Sequence, residues 1–195
     1  MTGEGSPNVG APSDLRLVPL AERHLETVRA WRTSEDVAKH MFTDPEITPE
    51  SQRRWFVERV RGDPSSRWWV IESGGVPIGL ANVTGVDATN RRCEWGYYIG
   101  SPAHRGRGIG RRLARTVYDY VFDVLRMHRL VTEVLDGNAA GLALPAKMGC
   151  AREGTLRAHV FKRGAFRDVI VFAMLEDEWR KIRDGIDAAP IPIAT

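Results

Sequence analysis

Cysteine is scarce in this sequence: Cys93 and Cys150 are the whole complement, and no CxxC spacing joins them. That excludes a disulfide-stapled scaffold and a cysteine-based zinc cluster, and it fits a reducing compartment. Long apolar stretches are missing as well. The run Leu130–Leu135 is interrupted by Thr132 and Glu133, and mean hydropathy is −0.30, so no membrane span is expected. The first residues, up to Ser13, hold neither a positive charge nor an apolar stretch and do not read as a signal peptide. A cytoplasmic protein with no membrane partner is the expectation. Lysine is rare, 4 against 24 arginines, and the net charge is only +3. The pairs Arg53-Arg54, Arg91-Arg92 and Arg111-Arg112 never extend into a basic stripe, so no nucleic-acid partner is expected. His24, His40, His104 and His128 have no ligand spacing, and no metal is assigned.

What is present is enough chain for one domain with a real core. At 195 residues it is too short for two comfortable ones. Residues 1–13, rich in Gly, Pro, Ser and Asn, read as a disordered tail. Residues 184–195, with Pro190 and Pro192, read as a flexible one, leaving a single domain over 14–183. Leu15–Pro19 alternates as a strand, and Ala21–Trp31 reads as a helix with Leu25 and Val28 on one face. Thr48-Pro49-Glu50-Ser51 opens another helix, with Thr48 as N-cap and Pro49 at the first helical position. Trp68–Glu72 and Val76–Val86 flank the Gly74-Gly75 turn, and Arg91–Ile99 makes a further strand. A Gly-rich loop then leads into a helix to about Leu125. Leu130–Leu135 is a short strand, and Asn138–Met148 a helix ended by Gly149. Cys150–Phe161 and Phe166–Leu175 form a hairpin about Lys162-Arg163-Gly164-Ala165. Strands with interleaved helices make this a mixed α/β fold.

The densest signal is the loop Arg105-Gly106-Arg107-Gly108-Ile109-Gly110, between a strand and a helix. Backbone N–H groups and the helix dipole converge there, which suits a phosphate. A Rossmann fingerprint is excluded because its third glycine position is Arg111, and a Walker loop because no Gly-Lys-Ser/Thr follows. An ordinary strand–helix turn can carry the same glycines.

The motif Arg105-x-x-Gly108-x-Gly110 resembles the acetyl-CoA pyrophosphate signature of the GCN5-related N-acetyltransferases. Glu94-Trp95-Gly96-Tyr97-Tyr98-Ile99-Gly100 resembles that family's strand into the loop. Asn138 followed by Lys147-Met148-Gly149-Cys150 is similar to its Asn…Lys-x-Gly-Phe helix, with Cys150 in place of Phe. Gly154-x-x-Arg157-x-His159 and Gly164-x-x-x-Asp168-Val169 resemble the ending of its RimJ/RimL-like and amino-sugar branches. The resemblance spans about Leu15 to Trp179. It implies a central mixed sheet, flanked by helices, whose two parallel strands splay around the pantetheine arm of acetyl-CoA. By that likeness the backbone of Tyr97, Tyr98 and Ile99 meets the arm, the N–H groups of Arg107, Gly108, Ile109 and Gly110 hold the pyrophosphate, Arg105 and Gly106 belong to the same cofactor-binding loop, and Asn138 meets the cofactor near the second strand.

Acetyl transfer from a thioester to an amine needs a proton acceptor, a donor for the developing oxyanion and a tolerated thiolate. Glu94, on the strand leading to the acetyl group, is the first candidate base. A solvated strand carboxylate is the plain alternative. His159 is the second, expected opposite Asp168 across the hairpin, where the same pair also serves as a simple brace. Cys93 and Cys150 have no partner for nucleophilic catalysis. Trp31, Arg32, Met41, Phe42 and Trp95 are expected to line the acceptor site, beside His159. Many family members carry a tyrosine seven residues after the Asn as general acid, others a serine three residues after. Here those positions are Pro145 and Gly141, so no proton donor is expected on this helix, and Pro145 predicts a kink or early loosening. The expectation is an acetyl-CoA-dependent N-acetyltransferase, monomer or homodimer, acting on a small-molecule amine, an amino sugar first. A RimJ/RimL-type protein N-terminal acetyltransferase and a catalytically silent acyl-CoA-binding module are the alternatives.

Overall fold

The computed structural model describes Pro12 and Asp14 through Ala194. The segment read as a disordered N-terminal tail therefore lies outside the described residues, apart from Pro12. Seven strands form one sheet: β1 Leu15–Pro19, β2 Arg67–Ser73, β3 Val76–Asp87, β4 Arg92–Ile99, β5 Arg129–Leu135, β6 Ala151–Lys162 and β7 Ala165–Leu175. Their spatial order is β1-β2-β3-β4-β5-β7-β6. Every pairing between these strands is antiparallel except β4 with β5. Helices α1 Leu25–Thr33, α2 Glu35–Ala38 and α3 Pro49–Trp55 precede β2; α4 Ile109–Asp119, α5 Ala139–Lys147 and α6 Glu176–Ile182 follow β4, β5 and β7. None is long and apolar enough to cross a membrane.

The sheet has two covered faces, and strand parity sorts them. Trp69, Ile71, Ala81, Val83, Cys93 and Trp95 point to one side and pack against Ile109, Leu113, Val117 and Val121 of the α4 segment and Trp179 of α6. Trp179 is fully buried, stands edge-on to Tyr118 at 5.1 Å and donates its indole N–H to Asp119 at 2.9 Å. Val70 and Leu80 point the other way, onto Leu25 and Val28 of α1 and Phe56 beyond α3. The caps are local chemistry. Ser51 N donates to Thr48 Oγ1 at 3.2 Å, and Thr48 N to Ser51 Oγ at 3.0 Å. Two helices end in wider turns, in which Gly62 N donates to Val57 O and Leu125 N to Tyr120 O.

Three expectations need correction. Pro145 does not loosen α5, which runs through it to Lys147; Met148 N still donates to Leu144 O at 3.0 Å. The C-terminal stretch is docked rather than loose. Leu17 N donates to Pro192 O at 2.9 Å, Ala194 N to Leu17 O at 2.8 Å, and Ile191 is 2% exposed. The β6–β7 turn falls at Arg163-Gly164, both with positive φ, as a two-residue hairpin requires. Its register holds from Lys162↔Ala165 to Val160↔Arg167, then shifts before Leu156↔Val169. Ala158 is left-handed in that bulge, and its N–H donates to Asp168 Oδ1 at 2.8 Å. The expected His159–Asp168 pair is thereby replaced by a backbone contact.

Candidate functional site

The parallel strands β4 and β5 pair only at Arg92↔Arg129, Cys93↔Leu130 and Glu94↔Val131. Beyond that point β4 stays on β3 as far as Ile99, and β5 stays on β7 as far as Leu135. The two strands thus diverge and leave their facing N–H and C=O groups without a ladder partner in each other. A cavity of about 590 Å³ occupies the gap and runs through to the α1–α3 side. Trp95, Gly96, Tyr97 and Tyr98 line it from β4, Thr132, Glu133 and Val134 from β5, and Asn138, Gly141, Leu144 and Pro145 from α5. Ile99 completes β4 at the end of the gap. Asn138 also caps α5, its Oδ1 accepting from Gly141 N at 2.9 Å.

The glycine loop sits where β4 ends. Gly108 is the N-cap of α4 with φ 75°, in the left-handed region, and Gly106 has φ 72°. The first-turn N–H groups of Ile109 and Gly110 have no acceptor in their own helix. Gly110 also faces a close neighbour, since a Cβ there would lie 2.5 Å from the Tyr97 hydroxyl. A bare, left-handed backbone at the positive end of an eleven-residue helix fits a pyrophosphate. Arg105 is differently employed. Its guanidinium donates to Ile99 O at 3.0 Å, Gly100 O at 3.2 Å and Asp36 at 2.8 Å, bracing the loop against the strand end and α2.

On the other face of the sheet the cavity opens beneath α1 and α3. Its floor is the row Trp68↔Asn82↔Gly96, with Leu80↔Tyr98 beside it. Gln52, Trp55 and Arg32 stand over it from α3 and α1, and Met41 and Phe42 come from the loop after α2. Arg32 donates to Thr43 O at 2.6 Å and Thr43 Oγ1 at 2.9 Å, and burial lowers its pKa. That loop is pinned by the β6–β7 hairpin. Lys162, with its side chain 6% exposed, reaches Asp44 at 2.7 Å and Ala38 O at 2.9 Å, while Arg163 pairs with Glu35 and Asp44. Trp31 is outside the lining. Its ring fills the space over Gly100, where a Cβ would be 2.2 Å away, and meets Tyr98 edge-on at 6.4 Å. Trp95 stacks on Tyr97 at 5.5 Å where the cavity crosses the sheet.

Of the two candidate bases, Glu94 ends the paired part of β4, exposed, on the same face as Gly96 and Tyr98. Burial by its neighbours, then the Glu133 charge, raise its pKa above the ordinary carboxylate value, and Arg92 opposes them. His159 is exposed on the bulged part of β6, and neither it nor Glu94 is in the cavity lining. Burial pushes the Cys93 thiol to about 12 and Cys150 to about 11, so neither is a nucleophile at neutral pH. Sequence reasoning missed Gln52, Asn82 and Glu133. The signals were there: Asn82 is polar between buried Ala81 and Val83, and Gln52 lies on the buried side of α3, one helical turn before Phe56.

Residues 14–151 match the acetyltransferase (GNAT) domain family. Over 165 residues the chain is 26% identical to the spermidine N(1)-acetyltransferase of Escherichia coli K12, covering 85% of this chain and 88% of that one. Over 113 residues it is 29% identical to a putative ribosomal N-acetyltransferase of Bacillus subtilis, covering 56% and 61%. The fold is shared with the Vibrio cholerae spermidine N-acetyltransferase solved with CoA and spermine: TM-score 0.80, 23% identity, 86% of this chain and 99% of that one. The splayed strands, the glycine loop at the α4 N-terminus and this match agree: the chain belongs to the GNAT acetyltransferase family and is an acetyl-CoA-dependent N-acetyltransferase.

Proposed function

We propose that the acceptor is the primary amine of an amino sugar, nucleotide-linked ahead of antibiotic, acetylated by direct transfer within a ternary complex. The observation that carries this is Arg32. It lines the acceptor compartment, bonds only to Thr43, and has no ion-pair partner among the described residues. A partly buried guanidinium attracts a phosphate and repels a polycation. Aromatic walls from Trp55 and Trp68, edge-on at 5.0 Å, suit a compact ring.

In this reading Glu94 takes the ammonium proton through water. The free amine attacks the thioester carbonyl, the C–N bond forms, the C–S bond breaks with its electron pair on sulfur, and the second nitrogen proton passes to water. Backbone groups of Tyr97, Tyr98 and Ile99 bind the pantetheine arm, and the N–H groups from Arg107 to Gly110 hold the pyrophosphate. His159 has no part in the proton transfer. A polyamine acceptor is the second reading, favoured by Glu46 and Glu133 in the cavity wall and by the activity named for the spermidine acetyltransferase relatives.

The test is thiol release from acetyl-CoA with amino sugars, with and without phosphate, spermidine, and a peptide with a free N-terminus. The expected kcat/KM is highest for the phosphorylated amino sugar. Higher efficiency with spermidine sinks the amino-sugar reading in favour of the second. Turnover of the peptide alone would make the protein a RimJ/RimL-type enzyme.

A further inference from the structure

We infer that Gln52 and Asn82 form a hydroxyl-reading subsite that selects a polyhydroxylated ring amine over an alkyl amine. The inference rests on the acceptor-compartment reading above and names two residues that read the acceptor. Gln52 is 6% exposed, yet its side-chain amide has no hydrogen-bond partner among the described residues. It is not sealed in either, because it lines the cavity and is absent from the fully occluded polar atoms. An amide on the inward side of the helix, with no protein partner and open to the cavity, is available to a ligand. Leucine or methionine at that position would serve packing alone better.

Asn82 repeats the pattern from the floor. It lies between Ala81, 1% exposed, and Val83, 0% exposed, on a strand that gains nothing from a polar side chain there. Its neighbour across the ladder is Gly96, and a Cβ on Gly96 would sit 3.5 Å from Asn82 Oδ1. The absent side chain leaves the amide open over the β4 backbone, two residues past the last β4–β5 pair. The Asn82 side chain also has no hydrogen-bond partner among the described residues. Beside it in the next row is the Tyr98 hydroxyl, buried and without a protein partner.

An amide presents both donors and acceptors, and a hydroxyl is the ligand group that answers both. An ammonium answers only the amide oxygen, and a methylene chain answers neither. Two amides at separate points of one compartment, with the Trp55–Trp68 pair beside them, therefore fit a ring whose edges carry hydroxyls and whose faces are apolar. Such a site rejects an analogue lacking the hydroxyls because the analogue displaces water from the two amides and leaves them unpaired.

The experiment compares glucosamine with cyclohexylamine, the same ring size with and without hydroxyls, binding to the CoA-loaded protein by calorimetry. Wild type should bind glucosamine at least about 10-fold more tightly. Gln52→Met and Asn82→Leu should each weaken glucosamine by about 5- to 10-fold, the scale of one neutral hydrogen bond, and leave cyclohexylamine unchanged or tighter. Gln52→Met should also raise the melting temperature of the unliganded protein, which a structural amide would not do. Equal binding of the two amines by wild type overturns the subsite without any variant. So does an equal loss for both amines, or a lowered melting temperature in Gln52→Met. Thiol release by wild type with both amines scores the transferase reading separately: equal turnover sinks the subsite and leaves amine acetylation standing.

Discussion

Breaking the Lys162–Asp44 contact from its two ends should give unequal results. Lys162 is the buried partner, 6% exposed, and Asp44 is 30% exposed at 2.7 Å. Removing the acid strands a buried ammonium, and for fully buried pairs that costs about 3–5 kcal/mol. Here Ala38 O still accepts from Lys162, and Asp44 is partly in water, so about 2 kcal/mol is the expected loss for Asp44→Asn. In a domain of this size that is roughly 4–8 °C in melting temperature. Lys162→Met removes the buried charge itself, fills much the same volume and leaves Asp44 with Arg163 at 3.0 Å, so it should cost under ~1 kcal/mol. The Lys162 hydrogen bond, helped by Arg163, holds the Asp44 carboxyl below its usual value against the opposing effect of burial. A depressed carboxylate pKa gives stability that is full above the unfolded value and lost as pH falls through the folded one. The gap between wild type and Asp44→Asn should therefore be widest at neutral pH and close below about pH 3.8. Because the loop after α2 lines the cavity where the acceptor is proposed to bind, both variants should raise acceptor KM and leave acetyl-CoA binding alone. Thermal melts at pH 7 and pH 3 decide the matter. A larger loss for Lys162→Met than for Asp44→Asn, or an undiminished gap at pH 3, refutes the reasoning.

The loop and the base give the next predictions. Gly108→Val should weaken acetyl-CoA at least about 10-fold by calorimetry, since φ 75° strains any branched residue and its side chain would stand over the α4 amides. Unchanged affinity in a folded variant sinks the pyrophosphate assignment. Glu94→Gln should lower kcat by ~10²-fold with acetyl-CoA affinity unchanged, and a rate within about threefold moves the base elsewhere. The neighbouring Glu133 charge raises the Glu94 pKa, so Glu133→Gln should move the rising limb of the pH–rate profile to lower pH. A limb that stays put or climbs shows the two carboxylates are not coupled.

Much of this site was legible because it is local. The Thr48–Ser51 cap, the glycines before α4 and the Arg163-Gly164 turn are each set by a few neighbouring residues, and each forms where those residues predict. The failures are non-local. Summing residue numbers about the hairpin predicts His159 opposite Asp168 only if no residue is inserted, and the bulge at Ala158 depends on what Asp168 finds across the ladder. Pro190 and Pro192 read as tail residues, yet Ile191 is buried and its N–H donates to Thr116 Oγ1 at 2.6 Å, 75 residues away. Gln52 and Asn82 look like ordinary polar substitutions until α3 lies over β3. Lys162 reads from sequence only as part of the hairpin turn, and the contact with the α2 loop is what buries it.

The leaving thiolate brings together the helix and the strand of this site. Pro145 and Gly141 face the cavity from α5, and neither carries a transferable proton. A phenol close to that wall is Tyr97, whose hydroxyl lies over Gly110 with Leu144 beside it. It is the natural substitute for an acid missing from α5, but burial pushes its pKa to about 12. A thiol titrates near 8.5, so handing the phenol proton to the thiolate is uphill by about 5 kcal/mol. A phenol held that high is a poor acid for the leaving sulfur, so the expectation is a thiolate that departs as such or is protonated by water. Tyr97→Phe keeps the stacking on Trp95 and the space at Gly110, so kcat should stay within about threefold, and the pH–rate profile should show no tyrosine-like fall up to about pH 10 in either protein. A 10²-fold loss of kcat in Tyr97→Phe, together with an alkaline limb present in wild type and absent in the variant, would show that the phenol is the acid and that bound acetyl-CoA lowers its pKa well below the value set by burial.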